Sequence, residues 1–92
     1  MGLTFEWDKR KAASNLNKHG VSFEEAASVF GDTLSLTIAD PDHSAEEDRL
    51  MLLGISERGR LLVVCHTERR DNIRIFSARP ATRGERKTYE ED

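Results

Sequence analysis

The chain lacks most of the sequence features by which proteins bind metals, cross membranes or leave the cell. Its one cysteine, Cys65, has no second thiol for an intramolecular disulfide. No apolar stretch approaches the roughly 20 residues that span a bilayer, and residues 1–6 lack the apolar core of a signal peptide. HExxH motifs, cysteine pairs and phosphate-binding glycine loops are also missing. We therefore expect a cytoplasmic protein without a metal or other cofactor.

The short length also limits how the chain can be organised. Its 92 residues provide material for one hydrophobic core. The apolar residues, 37% of the chain, recur in short periodic runs, as expected of a folded globule. We predict a single domain over residues 1–92.

The net charge of −3 conceals an uneven distribution of charge. Residues 1–57 carry five Lys or Arg against eleven Asp or Glu, for −6, whereas residues 58–87 carry nine against three, for +6. The remaining −3 comes from Glu90, Glu91 and Asp92. A local excess of this kind can form a positive patch that holds phosphates, or it can be a solvated polar face.

Two helices are predicted in the N-terminal half. Asp8 is a good N-cap for a helix that runs to about Lys18 and ends at Gly20, with a core-facing side formed by Ala12, Ala13, Leu16 and His19. Ser22 and Glu25 fit a capping box, in which the Ser hydroxyl accepts from a backbone N–H and Glu25 reaches back to the cap. The second helix then directs its apolar stripe to the core: Phe23, Ala26, Ala27 and Phe30.

The remainder of the chain predicts strands and a last helix. Leu34, Leu36 and Ile38 alternate with smaller or polar residues, as in a strand with one buried face. Residues 49–56, 61–68 and 73–76 follow as strands joined by turns at 57–60 and 69–72, which predicts an antiparallel meander. Residues 5–7 also alternate and give a short first strand. A second capping box, from Thr82 to Glu85, opens a short helix towards Tyr89.

The predicted fold class is therefore α+β. An antiparallel sheet of about four strands is combined with two N-terminal helices and a short C-terminal helix.

The chain has side chains suited to metal-free cleavage of a phosphodiester. This reaction needs one group to take the 2′-OH proton, another to protonate the leaving oxygen, and cations to stabilise the pentavalent phosphate. Proton-transfer candidates are His19, His43, His66, Glu68 and Glu85. Phosphate-binding candidates are Arg69, Arg74, Arg79 and Arg83.

Several of these residues have simpler structural explanations. Arg74 and Phe76 alternate with buried positions and can bind single-stranded RNA by phosphate contact and stacking; alternatively, a helix covers Phe76 and Arg74 pairs with a carboxylate. His66 follows the apolar run 61–65 of a central strand and can be a structural, hydrogen-bonded histidine. Tyr89 can stack on a base, donate a proton or pack on the sheet. Lys18 and His19 suit the C-terminus of a helix in any case.

Several short motifs, taken in their order along the chain, resemble the BrnT family of type II toxins, and the resemblance runs nearly end to end. The opening is carried by residues 5–8, Lys11, Asn15 and 18–26, and the middle by residues 40–44, Arg49 and Gly54. The end is carried by residues 59–64, 66–69, 73–75, 77–79, 81–83, 85–86 and Tyr89. Gly84 departs from the family pattern, where we expect a basic residue.

The resemblance implies a fold related to the RelE and ParE toxins and an RNA-cleaving activity that arrests translation without a cofactor. It also implies a small DNA-binding antitoxin, commonly of the ribbon-helix-helix type, through which alone the toxin meets DNA. The expected catalytic residues are Arg79, His66, Glu85 and Arg74. The expected RNA-binding residues are Arg69, Arg83, Phe76, Tyr89, Lys18 and His19. Two alternatives are a toxin of this fold that inhibits a protein target such as a topoisomerase, and a degenerate toxin that survives as a corepressor.

Overall fold

The computed structural model describes residues 2–41 and 48–91. Two N-terminal helices pack on one face of a mixed sheet, and the C-terminal helix lies against the other face. The strands are β1 (Thr4–Glu6), β2 (Leu36–Ala39), β3 (Arg49–Ile55), β4 (Leu61–Arg69) and β5 (Asn72–Pro80). The helices are α1 (Lys9–His19), α2 (Phe23–Ser28), which continues into a 3₁₀ turn (Val29–Gly31), and α3 (Arg83–Glu91). His43 and most of the predicted acidic connection lie outside the described residues.

The sheet has the strand order β1-β5-β4-β3-β2. β4 is central, and Leu61 to Val64 are buried as predicted. The α+β class, the two N-terminal helices and the C-terminal helix are confirmed. The strand count and direction differ from the prediction, because β1 joins as a fifth strand and runs parallel to β5. Three residues carry too little pattern to reveal a partner that lies at 72–74.

The core lies between the sheet and the helices α1 and α2. Phe23 and Ala26 are fully buried, in agreement with the predicted stripe of the second helix. They pack with buried side chains of β3, β4 and β5, among which are Leu52, Leu62, Val64, Ile73, Ile75 and Ala78. Ala27 and Phe30 are partly buried against this cluster.

Helix α1 faces the core with a different residue from the one predicted. Asp8 caps the helix by accepting from two backbone N–H groups, and Gly20 ends it in the left-handed conformation, φ 71°, both as expected. Leu16, however, is 51% exposed and Ala13 is exposed as well, so the prediction of these two as core-facing residues was wrong, whereas Ala12 is partly buried against the core. The buried residue is Asn15, whose amide bonds the backbone N–H and C=O of Ala78 at 3.1 and 2.8 Å and the Val21 carbonyl at 2.9 Å.

The N-terminus of α2 forms half of the predicted capping box. The Ser22 hydroxyl accepts from the Glu25 N–H at 3.0 Å. The Glu25 carboxylate does not return to the cap; it is buried, accepts from the Ser56 hydroxyl at 2.7 Å and from Arg60 Nε at 2.9 Å. Hydrogen bonds from Arg60 hold the pKa of Glu25 below its usual value despite burial. The pair joins α2 to the β3–β4 hairpin instead.

Strand β2 begins later and is less buried than its alternation predicts. Leu34 precedes it and is 72% exposed, and Ile38 is 56% exposed. The prediction of one buried face was therefore wrong. The physical reason is position: β2 is an edge strand and pairs only with β3.

The register of the sheet separates an inner face, packed under α1 and α2, from an outer face. Cys65 pairs with Ser77 and His66 with Ile75, so Phe76 has no opposite residue and forms a β-bulge. Side chains five apart normally point to opposite faces of a strand. The extra residue brings both Arg74, opposite Thr67, and Arg79, opposite Val63, to the outer face.

Candidate functional site

Arginines dominate the outer face where β3, β4 and β5 meet. Paired positions share a face in an antiparallel sheet, so Arg49 and Arg74 lie on the two sides of Thr67, and Arg69 lies opposite Asn72. We predicted Arg69 in a turn, but it is the last residue of β4. Composition alone did not single out Arg49, although it is one of the anchors of the family resemblance.

The ring of Phe76 is in contact with two cations. The Arg49 guanidinium carbon lies over the ring at 4.0 Å from its centroid, and Lys11 Nζ of α1 lies at 5.4 Å. Cation–π attraction stabilises such pairs. The half-buried aromatic ring therefore lies beside two positive charges. The sequence did not identify Lys11 as part of this cluster.

Arg74 forms an ion pair with Glu6 at the β1 edge, with 2.6 Å between Nη1 and Oε2. Asn72 donates its amide to the other carboxylate oxygen. These two hydrogen bonds, that from Asn72 first, lower the pKa of Glu6. Arg74 therefore pairs with a carboxylate, one of the two alternatives that the sequence left open.

Glu6, Arg74 and Asn72 line a polar cavity of about 340 Å³, together with Thr67 and Arg69. We call this cavity the Glu6 cup. It opens on the outer face, because its strand residues all share that face in the register.

Arg79 is held by Glu85 at the other end of β5. Two parallel contacts, Nη1 to Oε1 at 2.8 Å and Nη2 to Oε2 at 2.9 Å, join the two side chains. The predicted second capping box is present: Glu85 Oε1 accepts from the Thr82 N–H at 2.8 Å, and the Thr82 hydroxyl accepts from the Glu85 N–H at 3.2 Å. Bonding to Arg79, followed by these cap bonds, lowers the pKa of Glu85 to about 2. Glu85 is thus a weak proton acceptor near neutral pH.

The two clusters are well separated along β5. Their partners on β4, Thr67 and Val63, are four residues apart, so about 13 Å of strand separates the backbones of Arg74 and Arg79. Arg83, exposed in the first turn of α3, lies at the Arg79 end. The outer face therefore offers a row of cations rather than one point of convergence.

His66 lies on the inner face, so the structure does not bring it together with the arginines. The ring is fully buried, with Nδ1 at 3.2 Å from the Val64 carbonyl and Nε2 at 2.9 Å from the Glu68 carboxylate. Phe30 packs edge-on at 4.8 Å between ring centroids. These contacts match the structural alternative for this histidine.

The other predicted RNA-binding residues are dispersed. The Tyr89 hydroxyl donates to Asp32 at 2.6 Å, and this bond raises the pKa of the phenol. It ties α3 to the segment before β2. Lys18 and His19 end α1, which packs on the inner face.

Residues 2–41 and 48–91 contain neither a metal-binding cluster nor a membrane-spanning helix. No cluster of three or more His, Cys, Asp or Glu side chains in these ranges is arranged to hold a metal ion. No helix there is long and apolar enough to cross a membrane.

The fold, the basic outer face and the family comparison together define a toxin of a type II toxin–antitoxin system. The model of the family described as ribonuclease toxin, BrnT, of type II toxin–antitoxin systems matches residues 7–85, and the chain belongs to this family. The crystal structure of the Brucella abortus ribonuclease toxin BrnT is similar, with a TM-score of 0.68 at 20% identity, over 88% of this chain and 99% of that chain. At this identity the likeness shows a shared fold. No curated protein sequence matches the chain.

Proposed function

We propose that this chain is an endoribonuclease that cleaves RNA on the outer face of its sheet without a metal ion and thereby arrests translation. One observation carries the proposal. The bulge at Phe76 gathers Arg74 and Arg79 on the face that also holds Arg49 and Arg69. A row of cations around an aromatic ring suits single-stranded RNA, whose phosphates and bases both find partners there. The ribonuclease name of the family supports the same class of reaction.

In this proposal the RNA strand runs along β5. Arg79 contacts a phosphate and Arg74 contacts a different nucleotide, because about 13 Å of strand separates their backbones. Arg83 extends the row at the start of α3. Phe76 contributes stacking, and Arg49 and Lys11, which already contact the ring, add positive charge beside it.

The cleavage step is an attack by a 2′ oxygen on the adjacent phosphorus, which yields a cyclic phosphate and a free 5′ hydroxyl. The 2′ proton is lost and the leaving oxygen gains one. We assign Arg79 to the pentavalent phosphate. Of its five N–H groups, three donate to Glu85 and to the Pro80 carbonyl, so two remain for phosphate oxygens. Glu85 is a positioning residue in this scheme, and His66 supports the sheet from the inner face.

The experiment is cleavage of single-stranded RNA by the purified chain in excess EDTA. We expect Arg79→Ala to lower the rate by about 100-fold or more, the scale on which one lost transition-state donor acts. Arg58→Ala is the matched control, because Arg58 is exposed in a hairpin and lies 3.9 Å from its nearest carboxylate. A variant as active as the unmodified chain would refute the role of Arg79. Loss of cleavage on adding EDTA would refute the metal-free reaction.

We also propose that a DNA-binding antitoxin, of the ribbon-helix-helix type, neutralises this toxin and alone contacts DNA. Membership of a type II toxin family supports an antitoxin partner. The net charge of −3 is compatible with DNA contact through the antitoxin. Added antitoxin should suppress RNA cleavage in the assay above. Growth arrest with intact cellular RNA would instead indicate a protein target, and unaffected growth would indicate a corepressor.

A further inference from the structure

The Glu6 cup contains a carboxylate in the middle of a basic surface. Glu6 and Arg74 are each 44% exposed, so the ion pair faces solvent and is open to a ligand. The cavity of about 340 Å³ falls within the roughly 300–1,000 Å³ of small-molecule sites. The cup is therefore large enough for a base-sized group.

The polar groups of the cup keep unused hydrogen-bonding capacity. A carboxylate has about four acceptor positions, of which Asn72 and Arg74 occupy two. Arg74 gives Glu6 one hydrogen bond and retains its other donors. The Arg69 side chain forms no ion pair or hydrogen bond with any residue that the structure describes. The cup thus offers free acceptors and free donors side by side.

A phosphate is a poor fit to this arrangement. Its oxygens only accept hydrogen bonds, and the ionised Glu6 carboxylate would repel them. The matching ligand presents N–H donors next to acceptor atoms. Guanine has this pattern, because its N1–H and N2–H₂ groups can donate to one carboxylate while O6 and N7 accept from a guanidinium. Adenine and cytosine each offer the carboxylate a single amino group.

We propose that the Glu6 cup is a base-recognition subsite that takes guanine from single-stranded RNA. Glu6 accepts from N1–H and N2–H₂, and Arg69 or Arg74 donates to O6 and N7. The subsite rests on the proposed function for its RNA substrate, and it determines where along the strand cleavage occurs. Nucleotide binding by itself needs no cleavage.

The first test is titration of the full chain with guanosine, adenosine, cytidine and uridine monophosphates, followed by NMR amide shifts. All four nucleotides carry the same phosphate, so differences in their affinity report recognition of the base. We expect guanosine monophosphate to bind about tenfold more tightly than the others, the scale of one bidentate base contact. Glu6→Gln should remove this preference, because it replaces an acceptor by a donor. Glu24→Gln, exposed on α2, is the control and should keep it.

A second variant is needed in case Glu6→Gln unfolds the protein by removing the ion pair with Arg74. Arg69→Gln breaks no contact with a described residue and should weaken guanosine binding several-fold at unchanged melting temperature. Equal binding of the four nucleotides, or a guanine preference that survives both variants, overturns the subsite.

Sequencing of RNA fragment ends separates this inference from the proposed function. The unmodified chain should cut next to guanines, and Glu6→Gln should cut without that preference. Cleavage with no base preference in the unmodified chain overturns the subsite and leaves the ribonuclease proposal intact. Guanosine binding without any cleavage overturns the ribonuclease proposal and supports the subsite.

Discussion

Replacing Glu85 by Gln removes the charge that holds Arg79 and keeps a side chain of nearly the same shape. The pKa of Glu85 falls from the usual 4.5 to about 2 in the folded chain. A shift of that size corresponds to roughly 3 kcal/mol at most. Because the carboxylate is 27% exposed, solvent screening reduces the expected contribution to about 1–2 kcal/mol. We expect Glu85→Gln to lower the free energy of unfolding by that amount at pH 7.

The loss should depend on pH in one direction. A depressed folded-state pKa stabilises the fold above the unfolded-state pKa, and the stabilisation disappears as the pH falls from about 4.5 to about 2. Protonation of Glu85 in the unmodified chain then makes the two proteins alike. The difference between them should shrink by more than half at pH 3.

Urea unfolding at pH 7 and pH 3 measures both quantities. Glu90→Gln serves as the control, because its contact with Arg86 is 3.8 Å long and both side chains are more than half exposed. We expect that control to change stability by less than about 0.5 kcal/mol. A Glu85→Gln deficit of the same size at both pH values would show that shape rather than charge is responsible. No deficit at pH 7 would refute the contribution of the ion pair altogether.

Three further predictions concern stability. Asn15→Ala leaves buried backbone groups unpaired and should cost about 3 kcal/mol in urea unfolding, whereas Asn17→Ala, exposed on the same helix, should cost less than about 0.5 kcal/mol. Gly84→Ala should increase the free energy of unfolding by about 0.5–1 kcal/mol and so raise the melting temperature, because a Cβ there meets no atom closer than 4.0 Å. A lower melting temperature would contradict this prediction. Ultraviolet titration should place the Tyr89 phenol pKa above 10, and Asp32→Asn should bring it back.

Local features of the fold were predictable because they depend on a few neighbouring residues. The caps at Asp8, Ser22 and Thr82 each involve groups two or three positions away, and the structure contains all three. The central position of β4 was also predictable from the sequence, because residues 61–64 form a continuous apolar run. Sequence patterns of this kind report burial and capping directly.

Contacts between distant residues were not predictable from the same patterns. Glu25 belongs to a capping-box sequence, but Arg60, 35 positions away, provides a stronger partner for its carboxylate. The apolar pattern of α1 did not include Asn15, and its burial follows from the backbone of β5, 63 positions away. Propensity and periodicity contain no information about either partner.

The candidate site was predictable in composition and not in arrangement. Arg69, Arg74 and Arg79 were named as phosphate-binding candidates from the sequence, whereas their distribution between two clusters needed the register. His66 and Arg74 lie on adjacent strands, and only the pairing of His66 with Ile75 shows that they face opposite ways. The place of Glu6 in the site was not predicted, because the short strand that contains it had no identifiable partner in the sequence.

The unpaired Phe76 has a consequence for how this toxin tolerates change. The residue is one more than the pairing of β4 with β5 requires, so the pairs on either side of it do not depend on it. A substitution at this position alters stacking and leaves Arg79 on the outer face. Deletion of the residue leaves Arg74 and Arg79 four positions apart, a spacing at which regular alternation also keeps both side chains on the outer face. Substitution and deletion at this position therefore both change the ring between Arg49 and Lys11, while the arginines of the outer face keep their order and their face.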